Sequence, residues 1–236
     1  MTEKKKIVGV EFNLPSGGVL YPETSPLSTG KLEIKYPTAR EEDILTSGGN
    51  NVIERFLTSI MITEGVDLNL MVNGDKDALM VASRILAYGP DYNVEVQCSS
   101  CGNKNKLTIN LNELDIVEFD SGNLVSKGEN KFNYKLKNSK REIVFKLLTG
   151  HDESEITKME NVRKKANLKN VKRLITDRLK RAILSVDGNS NGIYINNFVD
   201  EELLSIDSLD LRKHIELISP AYDYAIGYTC NSCNNE

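Results

Sequence analysis

The sequence predicts an α+β fold of mixed helices and short antiparallel strands, and three observations carry that expectation. Polar and apolar residues alternate in several short runs, the period of half-buried strands. Elsewhere apolar residues recur three to four apart, the period of amphipathic helices. Two Cys-x-x-Cys pairs, Cys98/Cys101 and Cys230/Cys233, each follow an extended run.

Residues 7–36 read as a strand layer. Val8 to Phe12 is followed by a turn at Pro15-Ser16-Gly17-Gly18, and Lys31 to Tyr36 alternates cleanly. Thr38-Ala39-Arg40-Glu41 has the spacing of a capping box, so a helix begins there, with Glu42 and Asp43 where a helix N-terminus favours acids. Gly48-Gly49 breaks it, and a second helix through Asn51 to Met61 has Val52, Phe56, Leu57 and Ile60 on one face. A third follows Asn73-Gly74-Asp75 and stops at Tyr88-Gly89-Pro90.

Tyr92 to Gln97 and Lys106 to Leu111 alternate on either side of the first cysteine pair, which predicts a hairpin with a cysteine knuckle at its tip. Phe132 to Leu136 and Ile143 to Leu147 make a second extended region. From Asp152 to Val186 the spacing is helical, with an interruption expected at Asn167 to Asn170. Ile193-Tyr194-Ile195 reads as extended, Ser208 to Ile218 as a last helix, and Tyr222 to Thr229 as extended into Cys230.

Composition narrows the function classes. With 236 residues, 39% hydrophobic and 27% charged, the chain is long enough for a real core, which excludes disorder as the whole answer. A formal net charge of -4 gives no global attraction to nucleic acid or anionic lipid. No stretch approaches a membrane span, and Ile7 to Val10 is too short for a signal-peptide core, so a cytoplasmic product is expected.

In a reducing compartment, paired thiols point to a metal before a disulfide. Each knuckle offers two sulfurs, and Cys98, Cys101, Cys230 and Cys233 together complete a closed tetrahedral zinc site, structural because no ligand position is left open. All four cysteines of the chain belong to the pairs, and Gly102 lets the first turn close. The 128 residues between Cys101 and Cys230 would be an insertion in a zinc-ribbon-like unit. A redox pair and free thiols are the competing readings.

Other motifs have bland explanations. Lys158 to Arg181 contains ten Lys/Arg against Glu160 and Asp177, enough to grip phosphates, but a solvated face or protein interface is the commoner use and no aromatics interleave it. Asp187 to Gly192 matches the first half of a calcium loop, yet its twelfth position is Phe198, and an Asp-Gly turn joining two strands is simpler. The only histidines are His151 and His214, the latter expected on an exposed helix face, and no nucleophile or phosphate-binding motif occurs. The chain is therefore not expected to be an enzyme.

The order of several segments resembles the baseplate hub protein family of T-even-type contractile-tailed bacteriophages. These are Leu14-Pro15-Ser16-Gly17-Gly18, Pro37 to Leu45, Val72 to Met80, Arg84 to Gly89, Val94 to Cys98, and Asp207 to Lys213 with the closing knuckle. The resemblance implies a non-enzymatic structural part of the virion or an assembly factor, assembled in the host cytoplasm. It would act in baseplate assembly and tail initiation. Its implied partners are other hub, wedge and tail-tube proteins around the tail axis, in several symmetric copies, with nucleic acid and membrane absent from the list. The family continues past the second knuckle with a returning strand, where this sequence has Asn235-Glu236, which implies a hairpin shortened or completed otherwise. The rival reading is a zinc-ribbon nucleic-acid-binding factor using Lys158 to Arg181. The expected division is an N-terminal strand layer and helical core over 1–90, the zinc-ribbon-like unit from 91–112 plus 220–236, and a mixed region over 113–219.

Overall fold

The computed structural model describes residues 8–48, 51–117, 119, 121–166 and 173–236. It is an α+β structure of helices and short antiparallel strands. Strands β1 (Gly9–Asn13) and β2 (Lys31–Lys35) pair with Phe12 opposite Leu32 and Val10 opposite Ile34. The loop between them folds back on itself through glycine. Gly18 has φ +78°, and a Cβ there would lie 2.5 Å from the Gly30 backbone nitrogen; one on Gly30 would meet the Gly17 carbonyl carbon at 2.7 Å. Side chains at either position would force the two backbone segments apart.

Helix α1 (Ala39–Thr46) begins at the expected capping box, with the Glu41 carboxylate accepting the Thr38 N–H at 2.8 Å. Burial of Glu41 opposes ionisation, but hydrogen bonds from Thr38 and Lys35 hold its pKa down to about 2. Gly48, at φ +65°, ends the helix. Helix α2 (Val52–Ile60) buries Phe56, Leu57 and Ile60 as its periodicity predicts, and α3 (Asn73–Tyr88) stops at Gly89. The second glycine of the predicted break, Gly49, and the interruption expected at Asn167 to Asn170 lie outside the described residues.

A hairpin of two seven-residue strands follows, β3 (Asp91–Gln97) on β4 (Lys104–Asn110). The two-residue strand β5 (Ile116–Val117) waits for a partner from the far end of the chain. Strands β6 (Phe132–Lys135) and β7 (Glu142–Phe145) form the expected second extended region. Helix α4 (Gly150–Lys165) starts at a second capping box, Thr149 with Asp152, and α5 (Leu174–Ala182) follows it.

Four sequence expectations need correction here. The helical pattern extended to Val186, whereas Ile183–Val186 is strand β8, which pairs with β7 through Ile143–Val186 and Phe145–Ile183. Apolar β-branched residues facing an open sheet edge take the strand pairing over continuation of the helix. Ile193 to Ile195 belongs to helix α6 (Gly192–Asn197), because the Asn191 side chain accepts the N–H groups of Ile193 and Tyr194 and caps a helix there. The Asp187-Gly188 turn consequently joins a strand to a helix. A π-helical turn (Phe198–Glu202) leads to α7 (Ser205–Ile218), and of the run entering Cys230 only β9 (Ala221–Tyr222) forms a strand, against β5.

One hydrophobic core runs from Phe12 on β1 to Ile218 on α7. At its centre the Phe132 and Phe145 rings stack with centroids 5.4 Å apart. Two buried carboxylates knit distant segments to it. Asp75, at the start of α3, accepts the Ser16 N–H at 2.9 Å, the Ser16 hydroxyl at 2.6 Å and the Tyr21 hydroxyl at 2.6 Å. Asp207, at the start of α7, accepts the backbone N–H groups of Asn138 and Ser139 at 2.9 Å each. No residue of the β3–β4 hairpin belongs to the core. The buried residues of the hairpin are Cys98 and Asn105, and Cys230 of the second knuckle is buried too.

Candidate metal centre

The fold brings the two cysteine pairs together. All four sulfurs lie within 4.8 Å of one another, with Cys98 to Cys233 at 3.8 Å and Cys101 to Cys230 at 3.7 Å. A disulfide would need about 2.05 Å. Sulfurs at the vertices of a tetrahedron around zinc, with bonds of about 2.3 Å, stand about 3.8 Å apart. The cluster therefore has the dimensions of a four-thiolate metal site and could hold one ion.

The knuckles are built alike. Cys98 N–H donates to the Asn103 carbonyl at 2.8 Å and Gly102 N–H to the Cys98 carbonyl at 2.9 Å; Cys230 N–H donates to Asn235 and Asn234 N–H to Cys230, both at 2.9 Å. The left-handed position is Gly102 in the first turn, φ +73°, and Asn234 in the second, φ +54°. Asparagine is the side chain that tolerates this region best, which explains the second knuckle's less usual sequence.

Backbone N–H groups also aim at the sulfurs. Those of Cys101 and Ser100 lower the Cys98 thiol, and those of Ser232 and Cys233 bring Cys230 to about 6 despite its desolvation. At Cys233 the Asn235 N–H pulls the same way, but the surrounding Cys101, Cys230 and Cys98 sulfurs push the thiol up to about 12. Four sulfurs this close cannot all ionise unless a cation sits among them, and a thiophilic divalent ion fits that demand.

The other candidate sites resolve differently. Among the described residues of the basic stretch, six cations are already in ion pairs. Arg163 binds Asp177, Arg178 binds Glu153, Lys180 reaches Asp200 at 2.5 Å, and Lys158, Lys164 and Arg181 pair with Glu155, Glu160 and Glu155. The acids at 153, 155 and 200 stand outside the stretch, so a charge count along the sequence could not register them. In the calcium-like loop, the Asp187 carboxylate accepts the Glu142 N–H and Arg141, and Asn189 and Asn191 accept backbone N–H groups at 3.0 and 2.9 Å. These oxygens face the protein's own donors.

His214 is half-buried rather than exposed, its ring stacked on Tyr134 at 4.5 Å. An open groove of about 850 Å³ between α3 and α4 contains neither histidine, and its Lys76 and Arg178 are paired with Glu54 and Glu153. The residue that sequence reading missed is Asn105, 1% exposed inside strand β4 and in contact with Cys230. A polar residue at a position facing Val96, on the apolar side of the hairpin, was the available signal.

The fold and the cluster define an α+β protein with a zinc-ribbon-like unit assembled from distant segments. The chain matches the family model described as T4 bacteriophage base plate protein over residues 7–236, and it belongs to that family. Membership makes it a structural component of the phage tail baseplate. No curated protein and no solved structure matches the chain. No described helix is long and apolar enough to cross a membrane.

Proposed function

We propose that this protein is a structural subunit of the baseplate hub of a contractile-tailed phage. In this reading it acts in baseplate assembly and tail initiation through contacts with other hub, wedge and tail-tube proteins, and is present in several symmetric copies. The observation that carries the proposal is the family match along nearly the whole chain, residues 7–236. One zinc, held by Cys98, Cys101, Cys230 and Cys233, is structural in this reading. It closes a module of residues 91–112 and 220–236 that stands beside a strand and helix region over 1–90 and a mixed region over 113–219. The absence of hairpin residues from the hydrophobic core supports the division, since a unit with so little apolar burial depends on a metal or another staple.

The protein has no catalytic role in this reading, which the paired charges of the open groove support. The nucleic-acid-binding alternative is weakened by the ion pairs that occupy the basic stretch. Mass spectrometry of purified particles tests the proposal: a fixed stoichiometry in the virion supports a permanent hub subunit. Absence from mature particles together with presence in assembly intermediates would replace it with a transient assembly factor. Salt-sensitive retention on DNA by the purified chain would instead revive the nucleic-acid reading.

A further inference from the structure

Asparagine is a poor strand former, and a buried amide is costly unless its donors and acceptor are used. Asn105 sits in β4, seven positions after Cys98, and is almost wholly buried. Its Oδ1 accepts the Asn231 N–H at 3.0 Å, and its Nδ2 donates to the Asn103 carbonyl at 3.2 Å and to the Cys230 sulfur at 3.6 Å. One side chain thus reaches from the strand behind the first knuckle to the backbone of the second and to a sulfur of the cluster. Groups that hydrogen-bond a metal's ligands orient them and tune their basicity.

We propose that Asn105 is a positioning residue of the four-cysteine centre, clamping the Cys230 knuckle onto the Cys98 hairpin and setting how tightly the metal is held. The inference rests on the metal reading above. It adds a residue that neither the Cys-x-x-Cys spacing nor the ligand set contains. The donor to Cys230 disperses thiolate charge, and the acceptor for Asn231 fixes the turn that carries Cys230 and Cys233.

The test uses the full chain loaded with zinc, in the parent and in Asn105→Asp, Asn105→Ala and Asn93→Ala. Asn105→Asp keeps the shape and the acceptor for Asn231 but removes the donor to Cys230 and sets a negative charge beside the sulfur. Asn93→Ala is the control, an exposed hairpin residue whose side chain accepts only the Thr108 hydroxyl, at 2.7 Å. Zinc content is read by elemental analysis, affinity by competition with a chromophoric chelator, and ligand geometry by the sulfur-to-metal charge-transfer band of the cobalt form.

One zinc per parent chain is expected, with Asn93→Ala unchanged and both Asn105 variants weakened by roughly 10- to 100-fold, the range for lost outer-sphere partners. The cobalt band of Asn105→Asp shifts. If Asn105→Ala does not fold, the isosteric Asn105→Asp decides. Affinity within twofold of the parent and an unmoved cobalt band overturn the positioning role while leaving the metal reading intact. So does an equal loss of thermal stability in metal-free and zinc-loaded chains with that band unchanged. A folded parent chain that takes up no zinc overturns both.

Discussion

Replacing Gly74 by alanine sets two opposed effects against each other, and the geometry decides the sign. Gly74 lies in the first turn of α3, where alanine is the better helix former and restricts the unfolded chain, a gain of about 0.4–1 kcal/mol where space allows. Space does not allow it: a Cβ would fall 1.5 Å from the Pro220 carbonyl oxygen and 2.7 Å from its carbon. Comfortable carbon-to-oxygen contact begins near 3.3 Å, so helix and crossing backbone must part by about 1.8 Å. Both sides are main chain, which leaves no side chain free to swing away. Overpacking of this kind costs about 1–3 kcal/mol, and the upper end applies. The expected net loss is about 2 kcal/mol, or about 4–8 °C in melting temperature for a chain of this length. Urea melts of the parent, Gly74→Ala and Gly192→Ala test it, since Gly192 opens α6 with nothing within 4 Å and should tolerate alanine neutrally or with a small gain. A Gly74→Ala protein as stable as the parent would refute the reasoning.

Cys98→Ser removes one vertex of the cluster, so the variant should lose bound metal and melt earlier than the zinc-loaded parent; unchanged metal content by elemental analysis would contradict the site. For Asp207, burial favours the neutral form, but the Asn138 and Ser139 donors outweigh it and hold the pKa down to about 2. A carboxyl whose folded pKa lies below the unfolded value of about 3.9 binds its proton more readily when unfolded. Its stabilisation is therefore full above about pH 4 and lost as pH falls towards 2. Acid titration of stability should accordingly be shallower over that window in Asp207→Asn than in the parent. Arg163→Met strands the buried Asp177 carboxylate and should cost about 3 kcal/mol, whereas adding Asp177→Leu should recover much of it, both read by denaturant melts.

The residues most legible in the sequence were those whose partners are close along the chain. Thr38 and Glu41, three apart, announce α1, and Phe56, Leu57 and Ile60 announce its neighbour's buried face. The cysteine pairs were legible for a different reason: their chemistry names a partner irrespective of distance. What stayed hidden were a pairing chosen by tertiary contact and a local cap masked by an alternating run. Ile183 to Val186 continues a helical period but meets β7, and Asn191 captures two N–H groups and so turns an alternating run into α6. The segments that carried the family resemblance make sense as joints. Ser16 and Asp75 come from two of them and bond each other, and Asp207 from a third holds the 138–139 turn. These joints cannot be read locally, because the Ser16–Asp75 and Asn138–Asp207 contacts each span more than fifty residues.

The separation of the knuckles gives the molecule a clock. Cys98 and Cys233 are 135 positions apart, and at about 5–20 residues per second a ribosome needs roughly 7 to 27 seconds to go from one to the other. Throughout that interval the hairpin carries two thiols without their counterparts. The strand pair β5 on β9 is similarly delayed, since Ile116 meets Tyr222 only after the residues between them have been made. The segment from Ala221 to Cys233 thus closes both the strand pair and the cluster, and a chain halted before it would carry an open cluster.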